Sequence, residues 1–349
     1  MNWLELGLEK GLVILILLKY EFLYYIPNGN MVVKKIKSKN ILVTGGAGFI
    51  GSHLADRLIK EGGNVIIVDN LSSGRKENLY RRAKFYKIDI RSPKIYQILK
   101  EEKIESVFHL AAQPLVETAY KNPVETLEIN IMGTANVLES CRLKGDLKSI
   151  IVISSDKAYG KAKKLPYTEE TPLTSDHPYD VSKTATDLIA QTYFKTYNLP
   201  IVVARFSNTF GPRDFNFSRI IPGIFESIIK NKELLIRSNG KMVREYTYVD
   251  DIVDGCVKLA QNIDKIKGEA FNFGSKNIFS VIKVIRKIER ILNTRISYRI
   301  LNIANNEIPK QYLDWTKAKK ILNWRPKYSF EEGIVESFNW YKDSFFSKL

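Results

Sequence analysis

The chain has 349 residues, 44% of them hydrophobic and 26% charged, with a net charge of +16 at pH 7. That is apolar mass for a large core and about two domains, and it excludes a disordered or fibrous protein. Two cysteines, Cys141 and Cys256, lie far apart and in no metal spacing, which argues for a reducing, cytoplasmic setting and against a disulfide scaffold or zinc site.

The lysine excess runs along the whole chain without a basic-aromatic module. It reads as a solvated basic surface that attracts small anionic substrates, not as a nucleic-acid interface. His53, His109 and His177 are dispersed, so no metal site is expected.

Residues 1–30 differ from the rest. Leu12 to Leu18 is strongly apolar, but Lys19 and Glu21 interrupt it before Phe22 to Ile26. The run is shorter than the ~20 mostly apolar residues that a spanning helix needs, and no small-residue cleavage site follows it. Three readings stay open: translation starting at Met31, a membrane-associated helix over residues 11–26, or a folded extension.

From Asn40 strands and helices alternate. Ile41–Thr44 reads as a buried strand, followed by a glycine-rich turn and a helix to about Lys60; Asn64–Val68 is the next strand, closed by Asp69. Further strands are expected at Phe85–Ile88, Ser106–Leu110, Ile150–Ile153 and Ile201–Arg205, with helices at Pro123–Leu143 and Tyr179–Tyr197. This order implies right-handed crossovers and an α/β fold, a doubly wound parallel sheet over residues 31–206. Beyond it the elements shorten, with helices expected at Ser218–Lys230, Val249–Asn262, Phe279–Leu292 and Phe330–Tyr341. Residues 207–349 therefore read as a smaller α+β substrate domain, with some segments returning to the first.

Three stretches carry chemistry. Gly45-x-x-Gly48-x-x-Gly51 follows a strand and opens a helix, the arrangement that lets backbone approach a pyrophosphate at a helix N-terminus. Asp69, eighteen residues after Gly51, stands where a carboxylate would take the adenosine ribose hydroxyls and repel a 2′-phosphate, favouring NAD over NADP. Tyr179 and Lys183 lie one helical turn apart on one face. A tyrosine that must ionise near neutral pH needs a cation beside it, since its ordinary pKa is about 10. Taken alone, Tyr-x-x-x-Lys also occurs on ordinary helix surfaces, and Asp156-Lys157 could be a solvated turn.

Together Thr44–Gly51, Asp69, Asp89-Ile90, the His109–Gln113 run, Ser155 and Tyr179-x-x-x-Lys183 resemble the extended short-chain dehydrogenase/reductase family, from about residue 39 onward. The resemblance implies an NAD-binding Rossmann domain in which Gly45, Gly48, Phe49, Ile50, Gly51 and Asp69 hold the dinucleotide. Asp89 and Ile90 would contact adenine, and Ala111 and Ala112 would line the cofactor. Tyr179 would take the proton of a sugar 4-hydroxyl while hydride leaves C4. Lys183 would lower the tyrosine pKa and hold the nicotinamide ribose, and Ser155 would hydrogen-bond the reacting oxygen.

Asp156 and Lys157 decide between reactions. A 4-epimerase only removes and returns hydride, whereas a 4,6-dehydratase also needs an acid and a base near C5 and C6. The related dTDP-glucose dehydratases carry Thr-Asp-Glu here, and CDP-glucose dehydratases are similar to this chain with an Asp-Lys pair. By that analogy Asp156 is the acid and Lys157 the base. Asn208, Arg219 and Arg244 sit in segments that match the family and are candidates for the substrate's nucleotide diphosphate. The resemblance also implies a homodimer through the helices near Pro123–Leu143 and Tyr179–Tyr197. The reading is a nucleotide-sugar 4,6-dehydratase, with a 4-epimerase and an NAD-binding regulatory protein as alternatives.

Overall fold

The structure is a computed structural model that describes residue 36 and residues 38–162, 164–303 and 308–345, with the side chains of Ser344 and Phe345 left out. The readings made of residues 1–30 lie outside the described residues.

The first half runs β1 (Asn40–Thr44), α1 (Phe49–Lys60), β2 (Asn64–Asp69), β3 (Lys84–Lys87), α2 (Lys94–Glu101) and β4 (Ser106–His109). It continues with α3 (Val116–Lys121), α4 (Pro123–Leu127), α5 (Gly133–Lys144), β5 (Ser149–Ser155), α6 (Pro178–Tyr197) and β6 (Ile201–Phe206). The second half holds β7 (Asn208–Phe210), α7 (Ile220–Ile229), β8 (Leu234–Ile236), β9 (Val243–Tyr248), α8 (Val249–Ile266) and β10 (Ala270–Phe273). It ends with β11 (Ile278–Ser280), α9 (Val281–Ile291), β12 (Tyr298–Ile300), β13 (Lys310–Gln311), α10 (Thr316–Leu322) and α11 (Phe330–Trp340).

The main sheet has seven parallel strands in the order β10-β6-β5-β4-β1-β2-β3. Its strands are apolar on both faces, as a sheet covered twice requires. Ile41, Val43, Ile67, Ile151 and Val202 pack with Leu54 and Leu58 of α1 and with α8. Their neighbours Leu42, Ile66, Val68, Ile150 and Val203 pack with Ile98 of α2, Val137 of α5 and Ala190 of α6. This alternation of period two is the doubly wound core read in the sequence.

Two features were not read there. The helix expected over Pro123–Leu143 is broken into α4 and α5 by a π-helical turn at Glu128–Met132. A methyl carbon at Gly133 would lie 2.5 Å from Ile90 Cδ1, so the chain approaches the sheet at the point where the turn widens. The seventh strand, β10, comes from the second half and pairs with β6, Ala270 opposite Val203. Residues 36–349 form one compact unit. Beside the main sheet, β9 pairs with β7, β11 and β13, and β8 with β12.

A buried ion pair ties α6 to this sheet. Arg205 on β6 donates Nε to Asp187 Oδ2 at 2.7 Å and Nη2 to Oδ1 at 3.0 Å, with the side chains 3% and 0% exposed. Arg205 Nη1 also donates to the Tyr159 hydroxyl at 2.8 Å, which donates to Asn272 of β10 at 2.7 Å. Removing one partner leaves the other charge buried and uncompensated. Asp187→Ala is expected to lose about 3–5 kcal/mol of unfolding free energy, measured by urea denaturation.

Candidate active site

The glycine turn is set by close backbone approach. Gly45 has φ +72°, and a methyl carbon there would sit 2.7 Å from the Ala111 nitrogen. At Gly51 it would lie 2.1 Å from the Gly45 carbonyl oxygen, so only glycine lets α1 start directly above β1. The turn is closed by Gly48 N–H donating to Gly45 O at 3.1 Å and by Gly45 N–H donating to Val68 O at 2.8 Å. No side chain caps α1, which leaves its first N–H groups for an anion. Asp69 ends β2 and accepts from Ala47 N at 3.0 Å and Leu71 N at 2.8 Å. Burial raises its carboxyl, and these backbone bonds work against the rise. Turn, helix end and carboxylate fit a dinucleotide.

They open into a cavity of about 1320 Å³. Gly45, Gly48, Phe49, Ile50, Gly51, Asp69, Ile90, Ala111 and Ala112 line it at one end. Ser155, Asp156, Lys157, Tyr179, Lys183, Asn208, Arg219 and Arg244 line the rest. Asp89 does not line it. Its carboxylate accepts from Arg91 Nε at 2.9 Å and from Asn70 Nδ2 at 3.1 Å, and the Arg91 guanidinium pulls its pKa down to about 2. The Asp89 carboxylate is thus engaged by its own turn.

β5 delivers Ser155, and a 3-10 turn over Asp156–Tyr159 follows at once. Ser155 Oγ accepts from Lys157 N at 3.2 Å and donates to Asp156 Oδ1 at 3.1 Å. Asp156 is 2% exposed, and its Oδ2 has no hydrogen-bond partner among the described residues. Lys157 Nζ stands 3.8 Å from Asp156 Oδ1 and donates to Gln311 Oε1 of β13.

α6 starts with Pro178 in its first turn, and His177 Nδ1 accepts from Tyr179 N at 3.3 Å. Tyr179 is buried, which raises its phenol above the ordinary value; Arg219 opposes the rise, and Asp180 and Asp156 add to it. The cation that opposes this rise is Arg219, itself held by Asp214 at 3.0 Å. Lys183 donates Nζ to the Ile153 carbonyl at 3.0 Å, and burial pushes its ammonium down to about 8.

Asn208 donates Nδ2 to Glu245 O at 3.4 Å, and Arg244 Nη1 donates to Ile308 O at 2.6 Å, so both brace the wall that they line. Several lining residues had no role in the sequence reading. Gln113 stood in a quoted motif, and the π-helical turn now explains it: Asn130 accepts from Gln113 N at 2.7 Å and donates to Ser182 Oγ at 2.8 Å. Glu117 of α3 and Arg237, which follows β8, pair at 2.9 Å although 120 residues apart. Gln311 lies in a two-residue strand that no periodicity announces. Among the described residues no group of His, Cys, Asp and Glu could hold a metal ion.

A glycine-turn dinucleotide cleft closed by a Tyr-x-x-x-Lys helix defines a short-chain dehydrogenase/reductase site. The chain also matches the family model described as GDP-mannose 4,6 dehydratase over residues 42–337. It belongs to that family, the extended short-chain dehydrogenases of the NAD-dependent epimerase/dehydratase type.

Three relatives show the range of reactions. The solved UDP-glucose 4-epimerase of Thermotoga maritima is 35% identical with TM-score 0.82, covering 87% of this chain and 99% of that one. The dTDP-glucose 4,6-dehydratase of Streptomyces venezuelae, solved with NAD bound, is 27% identical with TM-score 0.82, covering 87% and 97%. UDP-glucuronic acid decarboxylase 1 of Arabidopsis thaliana is 32% identical over 306 residues, 85% of this chain and 68% of that protein.

The Lys183 shift has a consequence for stability. Its folded pKa of about 8 lies below the ordinary lysine value of 10.5, so the unfolded chain binds more protons between those limits. Stability therefore rises with pH across that window, by up to about 3 kcal/mol. Urea denaturation of cofactor-free protein at pH 7.5 and 10 should show that rise, reduced in Lys183→Met.

Proposed function

We propose that this chain is an NAD-dependent nucleotide-sugar 4,6-dehydratase that makes a 4-keto-6-deoxy sugar nucleotide. The observation that carries the reading is Asp156, a buried carboxyl with an unpartnered oxygen between Ser155 and Lys157 on the cavity wall. An enzyme that only moves hydride has no use for a buried acid beside the serine.

NAD, when bound, would supply the hydride acceptor for C4 and the hydride donor for C6. Gly45, Gly48 and Gly51 would hold its pyrophosphate against α1, Asp69 its adenosine ribose and Lys183 its nicotinamide ribose. Ser155 hydrogen-bonds the sugar's 4-oxygen. Tyr179 accepts the proton of the 4-hydroxyl, with the Arg219 charge favouring its ionised form. The resulting 4-ketone acidifies C5–H. Lys157, as the free amine, takes that proton while Asp156, protonated, gives its own to the 6-hydroxyl. The C5–H and C6–O bonds break, a C5=C6 bond forms, and one water leaves. Lys157 later returns its proton to C5. Asn208, Arg219 and Arg244 face the diphosphate.

A second reading, a 4-epimerase, is favoured by the 35% identity to the Thermotoga maritima enzyme. Incubation with UDP-, CDP-, dTDP- and GDP-hexoses and with UDP-glucuronate, followed by product mass, separates the readings. Loss of one water is expected. An isomer of unchanged mass would replace the proposal with an epimerase, and loss of carbon dioxide with a decarboxylase. Bound NAD without turnover of any of them would favour a regulatory protein. In Asp156→Asn, reduced nicotinamide should still accumulate from C4 oxidation while water loss falls about 10²–10⁴-fold; normal water loss would remove Asp156 from the acid role.

The chain works as a homodimer in this reading. Val124, Met132 and Leu143 on the α4–α5 side, and Val181, Leu188 and Tyr197 on α6, are exposed large apolar side chains. Light scattering at micromolar concentration should give twice the chain mass; an active monomer would refute the dimer. A reducing cytoplasmic setting fits the free, buried Cys141 and Cys256. No helix among the described residues is long and apolar enough to cross a membrane.

A further inference from the structure

Gln311 is 0% exposed, lines the cavity and lies 154 residues from Lys157 in sequence. It sits on β13, whose two residues pair with Val243 and Arg244 of β9. Its carboxamide spans the catalytic turn: Oε1 accepts from Lys157 Nζ, and Nε2 donates to the Asp156 backbone carbonyl at 3.3 Å. Burying an amide with unmet hydrogen bonds is destabilising by about 1–3 kcal/mol, so a buried glutamine is kept only where both ends are engaged. Here both ends engage the Asp156-Lys157 pair.

From this juxtaposition we infer that Gln311 is a positioning residue for Lys157, holding the side-chain amine through a neutral acceptor so that it can carry a proton to and from the substrate. The inference rests on the dehydratase reading for what the proton does, but not for the hold itself.

The neutrality of the acceptor is the point. The charged and titratable groups around the pair are Asp156 on the same turn, Arg244 and Glu245 on β9, Tyr167, and Tyr179 and Asp180 on α6. Glu245, buried and pushed up to about 8, adds little negative charge at neutral pH. A carboxylate at position 311 would fix Lys157 as an ammonium; the amide orients one N–H and leaves the charge free to change. Lys157 takes its backbone hold from Ser155 Oγ and its side-chain hold from β13. The second half of the chain thereby sets the geometry of a group that belongs to the first.

The test compares wild type, Gln311→Glu and Gln311→Leu as NAD-loaded enzymes. Trace labelling with acetic anhydride across pH, read at Lys157 by peptide mass spectrometry, reports the free amine without needing turnover. In Gln311→Glu the labelling midpoint should rise by about 1–3 pH units, the effect of an adjacent carboxylate. In Gln311→Leu, uncharged and tolerable in a buried site, the plateau labelling rate should rise severalfold as the amine is released. Water loss should fall at least tenfold in both, with C4 oxidation within about twofold of wild type and KM little changed. Unaltered Lys157 labelling in Gln311→Leu, or in a folded Gln311→Glu, would overturn the inference. Altered labelling in a protein whose wild type removes no water from any sugar nucleotide would sustain the hold and overturn the dehydratase reading instead.

Discussion

The molecule depends on how it pays for one buried charge. Arg205 lies in the interior of β6, where an uncompensated guanidinium would be untenable. Its bidentate bond to Asp187 fixes the middle of α6 against the sheet, and therefore the register of Lys183 about one turn earlier and Tyr179 about two. The same guanidinium holds the Tyr159 hydroxyl and so the end of the turn that begins at Asp156. Tyr159 passes the constraint to Asn272, which donates to the carbonyls of Tyr167 and Asp314. One ion pair thus aligns the two catalytic segments with each other and with the second half of the chain.

Within that frame, burial rather than pairing sets the protonation states. Lys183 is pulled towards neutrality, burial pushes Tyr179 and Glu245 up, and His109, pushed down to about 3, is a neutral hydrogen-bonding link between Thr44 and Thr134. The cations Arg219, Arg237 and Arg244 on the cavity wall each already have a protein partner. A site of this kind favours a ligand that brings its own negative charge and can replace part of those contacts, as a diphosphate does.

Much of this was legible in the sequence because it is local. Strand runs, the glycine spacing and the Tyr-x-x-x-Lys pair are each contained within a few turns of chain, and short apolar runs located six of the seven main strands. What stayed hidden is what depends on partners far away. The sequence does not say that Arg91 and Asn70 bond the Asp89 carboxylate. Four-residue spacing places Lys183 on the face of Tyr179, but does not say which carbonyl its ammonium meets. Gln311 and β10 are short, carry no pattern of their own, and acquire meaning only from the strands beside them. The π-helical turn at Glu128–Met132 is invisible to a periodicity argument because it changes the period.

The position of β10 at the edge of the main sheet also bears on how the chain is made. When residue 206 has left the ribosome, six strands are present and β6, as apolar as a central strand, is an open edge with unpaired N–H and C=O groups. Such an edge is a template for wrong pairing. It stays open until Ala270–Phe273 arrive, more than sixty residues later, with α8 delivered just before them. The cavity-lining segments between β6 and β10 are therefore synthesised as a loop hung from an unfinished sheet, and the main sheet is completed only after they have been made.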